Sequence, residues 1–201
     1  MRTRLKHAYL QLLAAILTIG LSTCAGTASA QELSQNVLQP YWQQLETVDW
    51  IAQGPVKPRH VLYEFVDPNC GYCHQLWSEM QAEYSHGVQV RYILLGIISD
   101  SSPYKAAAIL EAADPAAALR RNERLWGQNP DGSKGGGIQP LASLDFSMRL
   151  KLMMHFKLAQ NFGILGTPGL VWKDRQGQIH VRQSAPSPEE LQRIVESASS
   201  E

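Results

Sequence analysis

Between residues 60 and 66 the chain reads His-Val-Leu-Tyr-Glu-Phe-Val, a run of branched and aromatic side chains that predicts a β-strand. Alternation puts Val61, Tyr63 and Phe65 on one face and Leu62, Glu64 and Val66 on the other. Apolar residues on both faces suit the centre of a sheet covered on both sides. Glu64 is the odd residue: it is either exposed at a sheet edge or buried with a raised pKa. The period then changes from two to helical. Leu76, Trp77, Met80 and Tyr84 recur at helical spacing, so a helix is expected from about Cys73 to Tyr84, entered through the turn Asp67-Pro68-Asn69 with Asn69 as its N-cap. Val88 to Leu95 reads as a second strand. Upstream, Leu38, Trp42 and Leu45 share one face of a short helix whose start Pro40 limits. Trp50-Ile51-Ala52 and Gly54 to Pro58 read as a lead-in and linker.

Further along, Pro103 to Trp126 is alanine-rich and predicts two helices, broken at Asp114-Pro115 with Asp114 capping the second. Arg120, Arg121, Glu123 and Arg124 read as a solvated face. Gly127 to Pro140, with Gly132 and Gly135-Gly136-Gly137, is a loop without the strand and helix context of a phosphate cradle. Ser143 to Phe162 predicts a helix packed through Leu144, Met148, Leu152 and Phe156. Leu170-Val171-Trp172 and Ile179-His180-Val181 form a hairpin, and Ser187-Pro188 opens a last helix with Leu191, Ile194 and Val195 inward. The order strand, helix, strand, helical insert, hairpin, helix predicts an α/β layer fold with helices on both faces of a small mixed sheet.

The first 30 residues differ in kind. Arg2, Arg4 and Lys6 precede an apolar run from Ala8 to Leu21, and Ala28-Ser29-Ala30 offers a small-x-small cleavage site. This is the pattern of a secretory signal peptide. Leu21-Ser22-Thr23-Cys24 faintly resembles a lipoprotein cleavage box, with Thr23 poorly suited to it. The expected division is therefore a leader over 1–30, a helix and linker over 31–59 and one domain over 60–201, with its helical insert at about 99–162. Three of the 18 basic residues and none of the 18 acidic ones lie in the leader, which leaves a formal charge of −3 on the rest. That balance argues against nucleic acid as a partner.

Cys70 and Cys73 are the two cysteines beyond the leader. A C-x-x-C pair at a helix start is a redox motif, because the first thiol sits among unpaired backbone N–H groups at the positive end of the helix dipole. A Cys70 thiolate there is stabilised, and Cys73, one turn further in, is expected to be less exposed and close enough to close a disulfide with it. One sulfur attacks and the other resolves the mixed disulfide. If Glu64 is buried it serves as proton acceptor and donor for Cys73. Such exchange needs no cofactor.

Strand, C-x-x-C, Thr-Pro before a hairpin and a closing helix together resemble thioredoxin with an inserted helical subdomain, and most nearly the periplasmic DsbC/DsbG group of protein disulfide isomerases. Cys70-Gly71-Tyr72-Cys73-His74 is similar to the DsbC site, whereas Trp50-Ile51-Ala52, Gly54-Pro55, His60-Val61 and Asp67-Pro68 are more like DsbG. The resemblance covers about residues 50–198. It implies that Cys70 attacks and Cys73 resolves, that Thr167-Pro168 is a cis-proline loop facing them, and that Gly71, Tyr72, Thr167 and Pro168 hold substrate. Glu64, six residues before Cys70, resembles the buried acid of thioredoxin and of the oxidase DsbA. The implied activity is disulfide isomerase or reductase on unfolded or misoxidised periplasmic proteins, with a membrane thiol reductant of the DsbD type as partner; the alternative is a dithiol oxidase. Residues 31–59 are too few for the dimerisation domain of that group, so a monomer is expected.

Two rivals use the same residues. Cys70-x-x-Cys73-His74 is also the c-type haem attachment pattern, with Met80, Met148, Met153 or Met154 as a second ligand. Haem attachment does not explain the preceding strand or Thr167-Pro168. A structural zinc site wants four ligands, and the histidines 60, 74, 86, 155 and 180 lack the spacing to supply them.

Overall fold

The computed structural model describes residues 24–130 and 132–200, with side chains from residue 34 onward. The leader reading falls outside these residues up to position 23. The chain divides into two units, Met1–Val37 and Leu38–Glu201, and the second carries the sheet and the candidate site.

Helix α1 (Cys24–Thr47) contains Pro40 in its interior, so the proline does not set the helix start. Proline removes one intrahelical bond and crowds the preceding turn. Packing offsets this, since Trp42 and Leu45 are buried in one cluster with Val61, Tyr63 and Phe65. The five strands are β1 (Ile51–Gln53), β2 (His60–Val66), β3 (Val88–Leu94), β4 (Gly169–Lys173) and β5 (Ile179–Gln183). They lie in the order β1-β3-β2-β4-β5. β2 and β3 run parallel, and the other three pairings are antiparallel. Ile51–Gln53, read from sequence as lead-in, is one of the two edge strands. Three residues are too few to show an alternation, and its Gln53 carbonyl oxygen Oε1 accepts from Trp77 Nε1 at 2.9 Å.

β2 is the centre of the sheet, and the two faces expected from its alternation are the two sides of the core. Val61, Tyr63 and Phe65 pack with α1 and with α5 (Phe146–Asn161), while Leu62 and Val66 pack under α2 (Gly71–Glu83). The insert between β3 and β4 consists of α3 (Ser102–Leu110), α4 (Pro115–Arg124), a glycine-rich loop and α5. Asp114 caps α4 by accepting from Ala117 N at 2.9 Å. α6 (Pro188–Ser197) closes the fold behind a capping box of Ser187 and Glu190. On α5 the buried residues are Met148, Leu152, His155, Leu158 and Ala159, with Phe156 partly buried against the core of Leu158 and Ala159.

The glycine loop has a structural purpose. Gly136 N donates to Pro68 O at 3.0 Å and Gly137 N to Asn122 O at 2.9 Å, which draws this backbone against the turn ahead of the cysteines and against α4. A methyl group at Gly136 would overlap the Asn122 amide.

Candidate active site

Asp67 organises the turn after β2. Its buried carboxylate accepts from Asn69 N (2.9 Å), Ile97 N (2.7 Å), Ile98 N (3.1 Å) and Ser102 Oγ (2.7 Å). A buried carboxylate is stable only with such partners. They lay the exposed Ile97 and Ile98 beside the turn. Asn69 is not the helix cap that its position suggests. Its Nδ2 donates to the hydroxyls of Ser99, Ser101 and Ser102, and its Oδ1 accepts from Lys105 Nζ at 3.1 Å. Cys70 is the cap instead. Its backbone is extended (φ −84°, ψ 111°), and its Sγ accepts from Cys73 N at 3.1 Å. That sulfur therefore faces the free N–H end of α2.

Cys70 and Cys73 are joined as a disulfide, with Cα atoms 5.2 Å apart. The Cys70 sulfur lies 3.4 Å from the carbonyl oxygen of Thr167, 97 residues away in sequence. The Thr167–Pro168 bond is cis. Four of the residues singled out from sequence thus meet at one point. Each cysteine is 3% exposed, so the expected difference in exposure is absent. They differ in direction: Cys70 faces the Thr167 carbonyl, whereas Cys73 lies on the buried face of α2 with Leu76, Trp77 and Met80. Gly71 and Tyr72 are exposed between them, Tyr72 at 69%.

Glu64 takes the buried alternative. Its backbone is flanked by Tyr92 of β3 and Leu170 of β4, and its side chain is 0% exposed. Leu62 and Val66, on the same face, share the apolar cluster of Cys70 and Cys73. Neither carboxyl oxygen has a hydrogen-bond partner. Burial, and secondarily the charge of Glu123, push its pKa well above the ordinary carboxylate value.

Glu123 is the site residue that the sequence reading misplaced. It is 5% exposed rather than solvated. Its Oε2 lies 3.1 Å from His74 Nδ1, and its Oε1 accepts from Asn122 Nδ2 at 3.0 Å. The His74 ring stacks on Trp126 at 4.7 Å and 11°. The signal was present, because Ala118, Leu119, Asn122 and Glu123 fall on one face of α4. The flanking arginines at 120, 121 and 124 disguised it.

A cysteine pair at a helix N-terminus, its first sulfur against the carbonyl that precedes a cis-proline, on a sheet whose central strand buries an acid, defines the class of dithiol–disulfide α/β domains. The chain belongs to the thioredoxin-like domain family, whose model matches residues 51–199. It is 34% identical over 155 residues to the thiol:disulfide interchange protein DsbG of Pseudomonas aeruginosa, covering 77% of this chain and 58% of that protein. It is 29% identical over 115 residues to the thiol:disulfide interchange protein DsbC of Pasteurella multocida, covering 56% of this chain and 44% of that protein. The chain thus spans about half the length of these curated relatives, and the DsbC/DsbG resemblance is matched. Among solved structures, the catalytic domain of Proteus mirabilis ScsC superposes with a TM-score of 0.62 at 22% identity, over 81% of this chain and 96% of that one, which supports the fold.

Proposed function

We propose that this protein is a thiol–disulfide oxidoreductase that isomerises or reduces disulfides in protein substrates through Cys70 and Cys73. The observation that carries the reading is the cysteine pair capping α2 with its first sulfur against the Thr167 carbonyl. In the reduced enzyme the Cys73 N–H that now contacts Cys70 Sγ donates to a Cys70 thiolate and favours it. That thiolate attacks one sulfur of a substrate disulfide. A mixed disulfide forms, and the other substrate sulfur leaves as a thiolate that takes up a proton.

Two routes lead on. In reduction, the Cys73 thiol yields its proton to Glu64 and its sulfur attacks Cys70. The Cys70–Cys73 disulfide forms, the substrate leaves as a second thiol, and two electrons have passed from enzyme to substrate. In isomerisation, another substrate thiol attacks the mixed disulfide and expels Cys70 with no net electron transfer. In the reverse direction a neutral Glu64 protonates the departing Cys73 sulfur. Its raised pKa brings it toward that of a thiol, which suits proton transfer between them.

Substrate is held as extended chain along Thr167-Pro168 and against Gly71-Tyr72. Exposed Tyr72, Ile97, Ile98 and Leu165 around this point favour unfolded protein with apolar side chains. The leader pattern supports the periplasm as the compartment, and the likeness to the thiol:disulfide interchange proteins DsbG and DsbC supports a membrane reductant of the DsbD type as electron source.

The test uses a model protein with mispaired disulfides. Wild type should restore its activity, C70S should not, and C73S should accumulate mixed disulfide. Turnover by C70S would remove the mechanism. Alkylation of the protein in its compartment tests direction: free thiols support isomerase or reductase, whereas a resting disulfide would transfer the reading to dithiol oxidase.

A further inference from the structure

Glu123 comes from the helical insert, yet both of its oxygens are engaged with groups that bear on the cysteine pair. Oε1 accepts from Asn122 Nδ2, and that same amide donates to Pro68 O at 3.0 Å, in the turn ahead of Cys70. Oε2 meets Nδ1 of His74, the residue after Cys73, whose own N–H donates to Cys70 O at 3.0 Å. The imidazole plane is fixed by Trp126 on one side and by Trp77 at 6.4 Å and 17°. A carboxyl and an imidazole held 3.1 Å apart and mostly out of water form a unit that takes up or releases a proton together.

We propose that Glu123 and His74 hold one proton between them beside the disulfide, and that Glu123 is a positioning residue for exchange, setting the charge that Cys70 and Glu64 meet as pH changes. This rests on the exchange reading above and deepens it. With the proton the pair is neutral; without it the pair carries one negative charge, which opposes both a Cys70 thiolate and a Glu64 carboxylate. Burial pushes Glu123 up to about 7 and the His74 imidazole below its usual value, so the loss falls in the neutral range. Glu64 of β2 and Tyr92 of β3 both feel the Glu123 charge. On α4 itself Arg120 acts on Tyr84, which is bonded to Tyr92. On α3, Lys105 Nζ is engaged by Asn69, Asn129 and Gly136.

The test compares wild type with E123Q, which keeps the size and the acceptor for Asn122 but cannot ionise. Two quantities are followed across the neutral range: Cys70 thiolate formation by ultraviolet absorbance of the reduced protein, and the imidazole NMR shift of His74 in the oxidised protein. In E123Q the thiolate should form at lower pH, and a step near pH 7 in the rate of mixed-disulfide formation should be lost. The His74 titration should move as well. H74N, which takes the imidazole from Glu123, should keep a step, because Glu123 still ionises, but move it away from the wild-type pH. It also decides the matter if E123Q does not fold. Superimposable wild-type and E123Q profiles, or an H74N step unmoved, would overturn the proposal. A wild type that exchanges no disulfide at any pH would instead remove the exchange reading, and the His74 titration, which needs no turnover, separates that failure from this one.

Discussion

Glu64→Met isolates what the buried acid costs the fold and what it gives the chemistry. The substitution keeps an unbranched chain of similar length and removes a carboxyl with no hydrogen-bond partner. Burying a polar group without a partner costs about 1–3 kcal/mol in mutational data. Oxidised E64M should therefore exceed wild type by about that amount even at acid pH, where Glu64 is neutral folded and unfolded. At roughly 2–4 °C per kcal/mol for a chain of this size, this is a rise of several degrees in Tm. The pH dependence is the sharper part. Glu64 has a folded pKa raised by burial above the ordinary 4.5. The folded protein therefore holds a proton that the unfolded chain releases. The stability linked to that proton is whole below the unfolded value and is lost as pH rises toward the folded one, by about 1.4 kcal/mol per pH unit. E64M has no such proton, so its advantage should widen as pH rises above the ordinary carboxylate value. Glu123, raised to about 7 by burial, slopes in the same sense but is present in both proteins. Urea denaturation of both oxidised proteins at a series of pH values measures the gap. A constant gap, or an E64M less stable throughout, would refute the account of Glu64 as a buried neutral acid. E64M should also resolve mixed disulfides more slowly, and an unchanged rate would leave Glu64 a structural oddity.

Gly136→Ala sets a methyl against the Asn122 amide and displaces the bond from Gly136 N to Pro68 O, at a cost of about 1–3 kcal/mol by thermal unfolding. Lys105→Met leaves Asn69 Oδ1, Asn129 Oδ1 and Gly136 O short of a buried donor; about 1–3 kcal/mol of stability should go per acceptor left unpaired, with slower exchange as the turn before Cys70 loosens. Ser187→Ala removes the exposed cap of α6, whose side-chain partners are Glu189 and Glu190, costing about 1 kcal/mol in urea titration and leaving exchange rates unchanged.

The central strand, the redox pair and the order of elements are legible along the chain because each is written in local chemistry. A period of two with Glu64 as its exception marks β2, and two cysteines ahead of a helical stripe mark the start of α2. Asp114 and Ser187 announce their helices by short-range bonds. Thr167 and Pro168 were joined to the site only through a family resemblance. No local rule brings together residues 97 apart, and the sheet order does so by laying β4 beside β2. Tertiary packing also chose between the two fates of Glu64, since a strand's alternation does not say whether a lone acid within it keeps its contact with water. It extended α1 through Pro40, made an edge strand of three residues, and moved the helix cap from Asn69 to Cys70 by giving Asn69 better partners in the serine cluster. It turned Glu123 inward among arginines that face water. Local sequence fixes which groups are available; long-range burial decides which of them lose solvent, and for a carboxyl that loss sets its proton affinity and what it can do.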